Sequence, residues 1–301
     1  RMRLMTGLER FVPTAMSRSS ATTADHRNSA KKRFGQNFLH DRHVIGRILD
    51  ALGPRLGDRI VEIGPGRGAL TEGLISRAGS CTAIEIDRDL MPGLRARFGE
   101  RLLLIEQDVL TVDFASLAHS LGGPIRLVGN LPYNISSPIL FLLLPLAECI
   151  VDQTFMLQKE VVLRMVAGHG SKRFGRLSVM LQARYELSTL LEVPPTAFSP
   201  APAVDSAVVG MWPLPAESVR VRDWPVFEAL VAAAFSTRRK MIRNTLGHLL
   251  PHLDLEAAGV VPTERPEEIA VSAYIDLANQ LTGQDGLRPI PIQAIRGVQA
   301  D

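Results

Sequence analysis

Four short β-rich runs constrain this chain more than any other feature: Arg59–Ile63, Thr82–Ile86, Leu102–Glu106 and Ile125–Val128, each opening roughly twenty residues after the last. Helix-compatible segments, Ala69–Ala78 and Asp89–Phe98, separate the first three. Strand and helix alternating at this spacing give βαβ units and a parallel sheet, because parallel neighbours need a long crossover between them. The runs are continuously apolar rather than alternating, as expected of strands covered on both faces. Upstream, Val44, Ile45, Ile48, Leu49 and Leu52 recur at helical spacing, and Gly53-Pro54 ends that helix. Downstream, Thr154–Leu157 leads into a helix-like Glu160–Val166, and Gly168–Gly175 is a flexible, basic loop. Pro-rich turns then precede Val204–Met211, a strand expected to close the sheet.

Texture changes after Trp212-Pro213: residues 224 to 283 carry helical periodicity without clear strands. The expected organisation is an α/β domain over 31–214, a small helical domain over 215–285 and a flexible tail over 286–301. Residues 1–30 are rich in Ser, Thr and Arg and poor in acids, and are expected to be a disordered extension. Arg1 is no natural initiator, so added sequence or a mis-assigned start, with Met16 a candidate, competes with a transit-like peptide. At 46% hydrophobic residues the chain can bury a sizeable core. Two cysteines, Cys81 and Cys149, exclude a disulfide framework and a Cys-rich zinc site, and a reduced, cytoplasmic setting is expected. No His pair has a metal-binding signature, so no metal is expected. The most apolar stretch, Ile139–Leu146, is too short to span a bilayer, so no membrane partner is expected. The net charge of +3 is compatible with a nucleic-acid partner without requiring one.

Glu62-Ile-Gly-Pro-Gly-Arg-Gly-Ala69 directly follows the first strand run. Glycines there let the chain turn tightly and let a ligand lie against the main chain. Glu85, ending the second run, can accept hydrogen bonds from both hydroxyls of an adenosine ribose. NAD and S-adenosylmethionine both carry that ribose, so loop and acid alone do not separate them. Two details lean towards S-adenosylmethionine. The packed Gly64-x-Gly66-x-Gly68 form after a strand acid suits a cofactor without phosphate, and Asp108 beyond the third run can accept from an adenine amine. A loop or helix-capping aspartate is the plainer alternative for Asp108.

The fourth run continues through Asn130 into Leu131-Pro132-Tyr133. Ligands of parallel sheets bind beyond the carboxyl ends of strands, so this motif stands where a cofactor's reactive end belongs. The exocyclic amine of adenine is a poor nucleophile, since its lone pair is delocalised into the ring. A methylating site therefore needs two acceptors to hold the N6 hydrogens, rather than a general acid. The Asn130 side-chain oxygen and the Leu131 or Pro132 carbonyl can supply them, Pro132 fixes the turn, and Tyr133 can stack on the base. A β-turn whose tyrosine packs in the core is the plainer alternative.

Together with Lys32–Leu39, Val61–Gly66, Asn130–Ser136, Met156–Val161, Gly175–Val179, Phe198–Pro200, Val204–Val208 and Arg238–Asn244, these residues resemble the bacterial 16S ribosomal RNA dimethyladenosine transferases over about 31 to 282. The resemblance implies a Rossmann-like class I S-adenosylmethionine-dependent methyltransferase fold, mostly parallel with one antiparallel strand, and a small C-terminal helical domain. It implies cofactor contacts at Asn37, Leu39, Gly64, Glu85, Asp108 and Asn130, with residues 36–39 covering the methionine end. It makes Phe198 the aromatic opposite Tyr133, with core packing as the alternative. It implies dimethylation of two adjacent adenosines near the 3′ end of 16S rRNA in an immature 30S subunit, by a monomer. Arg238, Arg239, Lys240 and Arg243 are then expected to cluster on one helix as an RNA-binding face, with Lys31, Lys32 and Arg33 preceding the catalytic fold. An NAD-linked oxidoreductase, a non-catalytic ribosome-assembly factor and a DNA adenine methylase are the competing readings. The first leaves Asn130–Tyr133 idle, the second leaves its acceptors unexplained, and the third usually carries Pro where Leu131 stands.

Overall fold

The computed structural model describes residues 36–237 and 239–282. Lys31, Lys32, Arg33 and Arg238, the extension over 1–30 and the tail over 286–301 lie outside the described residues.

The central sheet joins β2 (Ile60–Ile63), β3 (Cys81–Glu85), β4 (Leu102–Glu106), β5 (Ile125–Asn130), β6 (Ile150–Gln158), β7 (Tyr185–Val193) and β9 (Ser206–Pro213), in the order β4-β3-β2-β5-β6-β9-β7. All its strands run parallel except β9, which pairs antiparallel with β6 and with β7. The 204–211 run therefore does not close the sheet; it slots between β6 and β7, and β7 forms the edge. A two-stranded piece, β1 (Phe38–Leu39) with β8 (Phe198–Ser199), sits apart from the sheet.

Helices cover both faces because successive strand residues point to opposite sides. Ile60, Ala83, Val128 and Met156 face one cluster, shared with α1 (Arg42–Leu52), α2 (Ala69–Ala78) and α3 (Met91–Phe98). Val61, Ile84, Leu127 and Phe155 face the other, shared with α4 (Phe114–Ser120), α5 (Ser136–Leu143), α6 (Lys159–Met165) and α7 (Arg176–Gln182). Local signals set the helix limits. Asp41 caps α1 by accepting from the His43 and Val44 amides at 2.8 and 3.1 Å, and Gly53 ends it at φ 57°.

The C-terminal part contains α8 (Trp224–Ala234), the single-turn α9 (Ile242–Thr245) and α10 (Val271–Leu281). Phe227 of α8 and Tyr274 of α10 belong to the same buried cluster as Phe155 and Tyr185. The change of sequence texture at 213 is thus not a break in the core. Among the described residues no helix is long and apolar enough to cross a membrane.

Candidate active site

The carboxyl ends of β2, β3, β4 and β5 open onto one cleft, lined among others by Gly64, Glu85, Asp108, Asn130 and Tyr133. Its floor follows from the strand ends and its near wall from the glycine loop. Gly64, Gly66 and Gly68 all hold positive φ, at 68°, 57° and 80°. A Cβ on Gly66 would meet the Phe38 ring at 3.1 Å, so the loop can carry the 36–39 segment only because it is bare there.

Glu62 and Glu85 put two carboxyls beneath this loop, both nearly out of water. Burial pushes Glu62 up to about 7; the Thr71 hydroxyl, donating at 2.6 Å, opposes this, and the charge of Glu85 adds to it. Burial also raises Glu85, against backbone amides of Asp87 and Gly66 that donate to it at 2.9 and 3.3 Å. Apolar Ile84, Ile86, Val109 and Leu110 complete a wall suited to a flat aromatic ring. Asp108 lies on this wall and also caps the following turn, its Oδ1 accepting from the Leu110 amide at 3.0 Å. The capping reading of Asp108 is thus observed, and its place on the cleft wall leaves the cofactor reading open to it. An adenosine fits this set of acid, apolar wall and bare loop, with no site for a pyrophosphate required.

The segment 36–39 closes the cleft from above. Gln36 Nε2 donates to Asp87 at 2.9 Å, Phe38 and Leu39 pair with Ser199 and Phe198, and the His40 amide donates to the Ala197 carbonyl at 3.0 Å. Sequence reasoning by spacing sees only a loop here; the Gln36–Asp87 contact spans 51 positions and leaves no periodic trace.

Asn130 ends β5, and its Nδ2 donates to the Asn37 carbonyl at 3.0 Å. A carbonyl can only accept, so the nitrogen must be the atom turned to Asn37, and Oδ1 is the atom left for a ligand. The Leu131 amide donates to the Met156 carbonyl at 3.1 Å, holding the motif to β6. The Pro132 carbonyl already accepts from the Ile135 amide at 3.1 Å, whereas among the described residues no backbone amide is seen to donate to the Leu131 carbonyl. Tyr133 is half-buried; its hydroxyl shares a 2.7 Å hydrogen bond with Ser206, a residue sequence reasoning did not single out.

Cleft and strands bring Asn37, Leu39, Gly64, Glu85, Asp108 and Asn130–Tyr133 together. Phe198 is not among the lining residues. It adjoins Leu39 across β8 and β1, and its ring is only 3% exposed within the core. The basic residues correct an expectation: they do not share one helix. α8 stops at Ala234, Arg239 and Lys240 stand in the turn that follows, and only Arg243 is on α9. Ser236 and Thr237 are poor helix formers that compete for backbone bonds, which favours a turn there. Arg239, Lys240 and Arg243 are all exposed.

An open sheet with one antiparallel strand, a bare glycine loop and an acid ending the next strand define a class I, Rossmann-like methyltransferase. The family model for ribosomal RNA adenine dimethylase matches residues 27–282. The chain belongs to this family, and its chemistry is methyl transfer to adenine of ribosomal RNA. It is 50% identical over 262 residues to a ribosomal RNA small subunit methyltransferase A of Aromatoleum aromaticum, covering 87% of this chain and 97% of that protein. The protein of the same description from Proteus mirabilis is 48% identical over 257 residues, covering 85% and 94%. Among solved structures, the 23S rRNA methyltransferase ErmE superposes with a TM-score of 0.65 at 27% identity, covering 82% of this chain and 100% of that one. A dimethyladenosine transferase of Plasmodium falciparum shares the fold with a TM-score of 0.67 at 23% identity, covering 80% and 95%. These similarities give no support to the oxidoreductase or to a non-catalytic factor.

Proposed function

We propose that this chain dimethylates N6 of two adjacent adenosines near the 3′ end of 16S rRNA, acting as a cytoplasmic monomer on an immature 30S subunit with S-adenosylmethionine as methyl donor. The observation that carries the reading is the orientation of Asn130: its amide nitrogen is committed to Asn37, and its oxygen is the acceptor at the end of β5. The small-subunit description of relatives about 50% identical over nearly their whole length supports the choice of RNA. S-adenosylmethionine, when bound, supplies a methyl group on a sulfonium that needs no acid to leave.

The chain's own residues then have three tasks. Glu85 and Asp108 hold the ribose hydroxyls and the adenine amine, while Asn37, Leu39 and Gly64 enclose the rest. Asn130 Oδ1 and the Leu131 carbonyl accept the two N6 hydrogens, which draws the lone pair out of conjugation and towards the donor. As N6 gains the methyl group it becomes cationic and sheds one of these hydrogens as a proton to solvent. Tyr133 stacks on the base and excludes water, a contact worth ~1–3 kcal/mol. Positioning replaces proton transfer as the source of rate. Phe198 reaches the opposite face of the base only if its ring leaves the core.

Tritiated methyl transfer to 30S particles from cells lacking the modification tests this. Labelled dimethyladenosine is expected from the intact chain, and Asn130→Ala is expected to lower the rate at least a hundredfold, as removal of an acceptor used only in the transition state does. S-adenosylhomocysteine should still bind the variant within about tenfold. Normal methylation by Asn130→Ala removes the acceptor role.

A further inference from the structure

Tyr133 is held at both ends by serine hydroxyls. Ser136 Oγ donates to its backbone carbonyl at 3.1 Å, and Ser206 Oγ shares the 2.7 Å bond with its phenol. Ser206 has no exposed surface, and it stands at the first position of β9, the one antiparallel strand of the central sheet. There it faces Gln158 of β6 on one side and Val193 of β7 on the other. The adjoining Asp205 carbonyl accepts from the Lys159 amide at 2.9 Å, so the start of the strand is fixed as well. A ring whose para oxygen is tied to such a point cannot swing away about its own Cα–Cβ bond. Burial raises the Tyr133 hydroxyl, opposed by the Ser206 bond, so the phenol keeps its proton near neutrality.

We infer that Ser206 is a positioning residue, which fixes where the Tyr133 ring stands so that it can clamp the target base, above all during the second methyl transfer. The inference rests on the base-site reading of Asn130–Tyr133. Its chemical basis is a difference between the two transfers. Unmethylated adenine offers two N6 hydrogens to the acceptors at Asn130 and Leu131; the monomethylated base offers one. With half of the hydrogen-bonded hold gone, orientation of the base depends more heavily on the stacked ring. A loosened ring therefore penalises the second transfer more than the first.

Single-turnover methyl transfer, followed by separation of mono- and dimethyladenosine, tests this with Ser206→Ala, Ser206→Thr, Tyr133→Phe and the Ser206→Ala/Tyr133→Phe pair. Loss of one neutral hydrogen bond predicts a fall of about tenfold in the second transfer for Ser206→Ala, with the first slowed less and monomethyladenosine accumulating. Tyr133→Phe keeps the ring and loses the tether, so it should show the same product ratio, and the double variant should be no worse than either single one. Ser206→Thr keeps a hydroxyl and should restore dimethylation. Affinity for S-adenosylhomocysteine should not change in any of them. An unchanged product ratio in Ser206→Ala, or strictly additive losses in the pair, overturns the inference while leaving the base site intact. Failure of the base site itself reads differently: Tyr133→Ala and Asn130→Ala would then both methylate normally.

Discussion

Asn130 and Glu62 show how far a single residue can be read. The place of Asn130 in the cleft was legible because a polar side chain at the carboxyl end of a buried parallel strand has few structural uses, and the role proposed for it rests on that place. The partner that orients it, the Asn37 carbonyl, was not, since a backbone atom 93 positions away carries no residue signature. Ser206 lay within the matching Val204–Val208 segment but had no role there: one hydroxyl at the start of a strand is ordinary until the phenol it meets is known. Glu62 appeared as part of a glycine-loop pattern, but its burial and the Thr71 hydroxyl set its protonation. That protonation has a testable consequence. Burial raises Glu62 from 4.5 to about 7, so between those values the folded chain holds a proton that the unfolded chain has lost. Its contribution to stability is present in full below 4.5 and is lost as pH rises through 7. The loss is on the order of 3 kcal/mol for such a shift. Urea unfolding at pH 5 and pH 8 should therefore show a smaller decline for Glu62→Gln than for the parent chain. Equal declines would mean that Glu62 is ionised throughout in the fold.

At the scale of elements, the first four sheet strands and the helices between the first three were legible because buried parallel strands read as unbroken apolar runs. The edge strand β7 was not, since Tyr185–Val193 interleaves Glu, Ser and Thr with leucines and leaves much of its length exposed. An edge strand covered on one side has no continuous apolar run to reveal it. The same difference explains why β9 was found but given the wrong place: its burial was evident from sequence, whereas its neighbours were not. The approach of β2 to β5 sets a stricter limit. A Cβ on Gly129 would lie 2.6 Å from the Ile63 carbonyl, a backbone atom of the adjacent strand. Gly129→Ala must push these strands apart, one residue before Asn130. We expect a loss of stability of ~1–3 kcal/mol, the usual cost of overpacking. We also expect methyl transfer to slow by roughly a hundredfold, since a displacement on the order of 1 Å suffices for that. Thermal unfolding beside single-turnover rates would check both; a normal rate in a destabilised protein would show that β5 does not need this close approach to place Asn130.

Across the whole molecule, one hydrophobic cluster runs from the sheet through α7 into α8 and α10. The exposed cations of 239–243 follow α8, which packs into the same buried cluster as the sheet strands. This matters for an enzyme that must bring one base of a large RNA to a single cleft: phosphate contacts far from the chemistry can set the register at which the base enters. The net charge of +3 is small, so the proposed RNA contacts depend on where the cations stand. Replacing Arg239, Lys240 and Arg243 together with alanine should leave thermal stability and S-adenosylhomocysteine affinity unchanged, because all three side chains are exposed and away from the cleft lining. Affinity for the 30S particle should fall, and the slope of log K against log salt should become shallower by roughly 2 to 3 if each cation meets one phosphate. Filter binding across a salt series measures that slope directly. A weaker complex with an unchanged slope would assign the turn to shape recognition instead of phosphate neutralisation, and an unchanged affinity would make it a solvated surface.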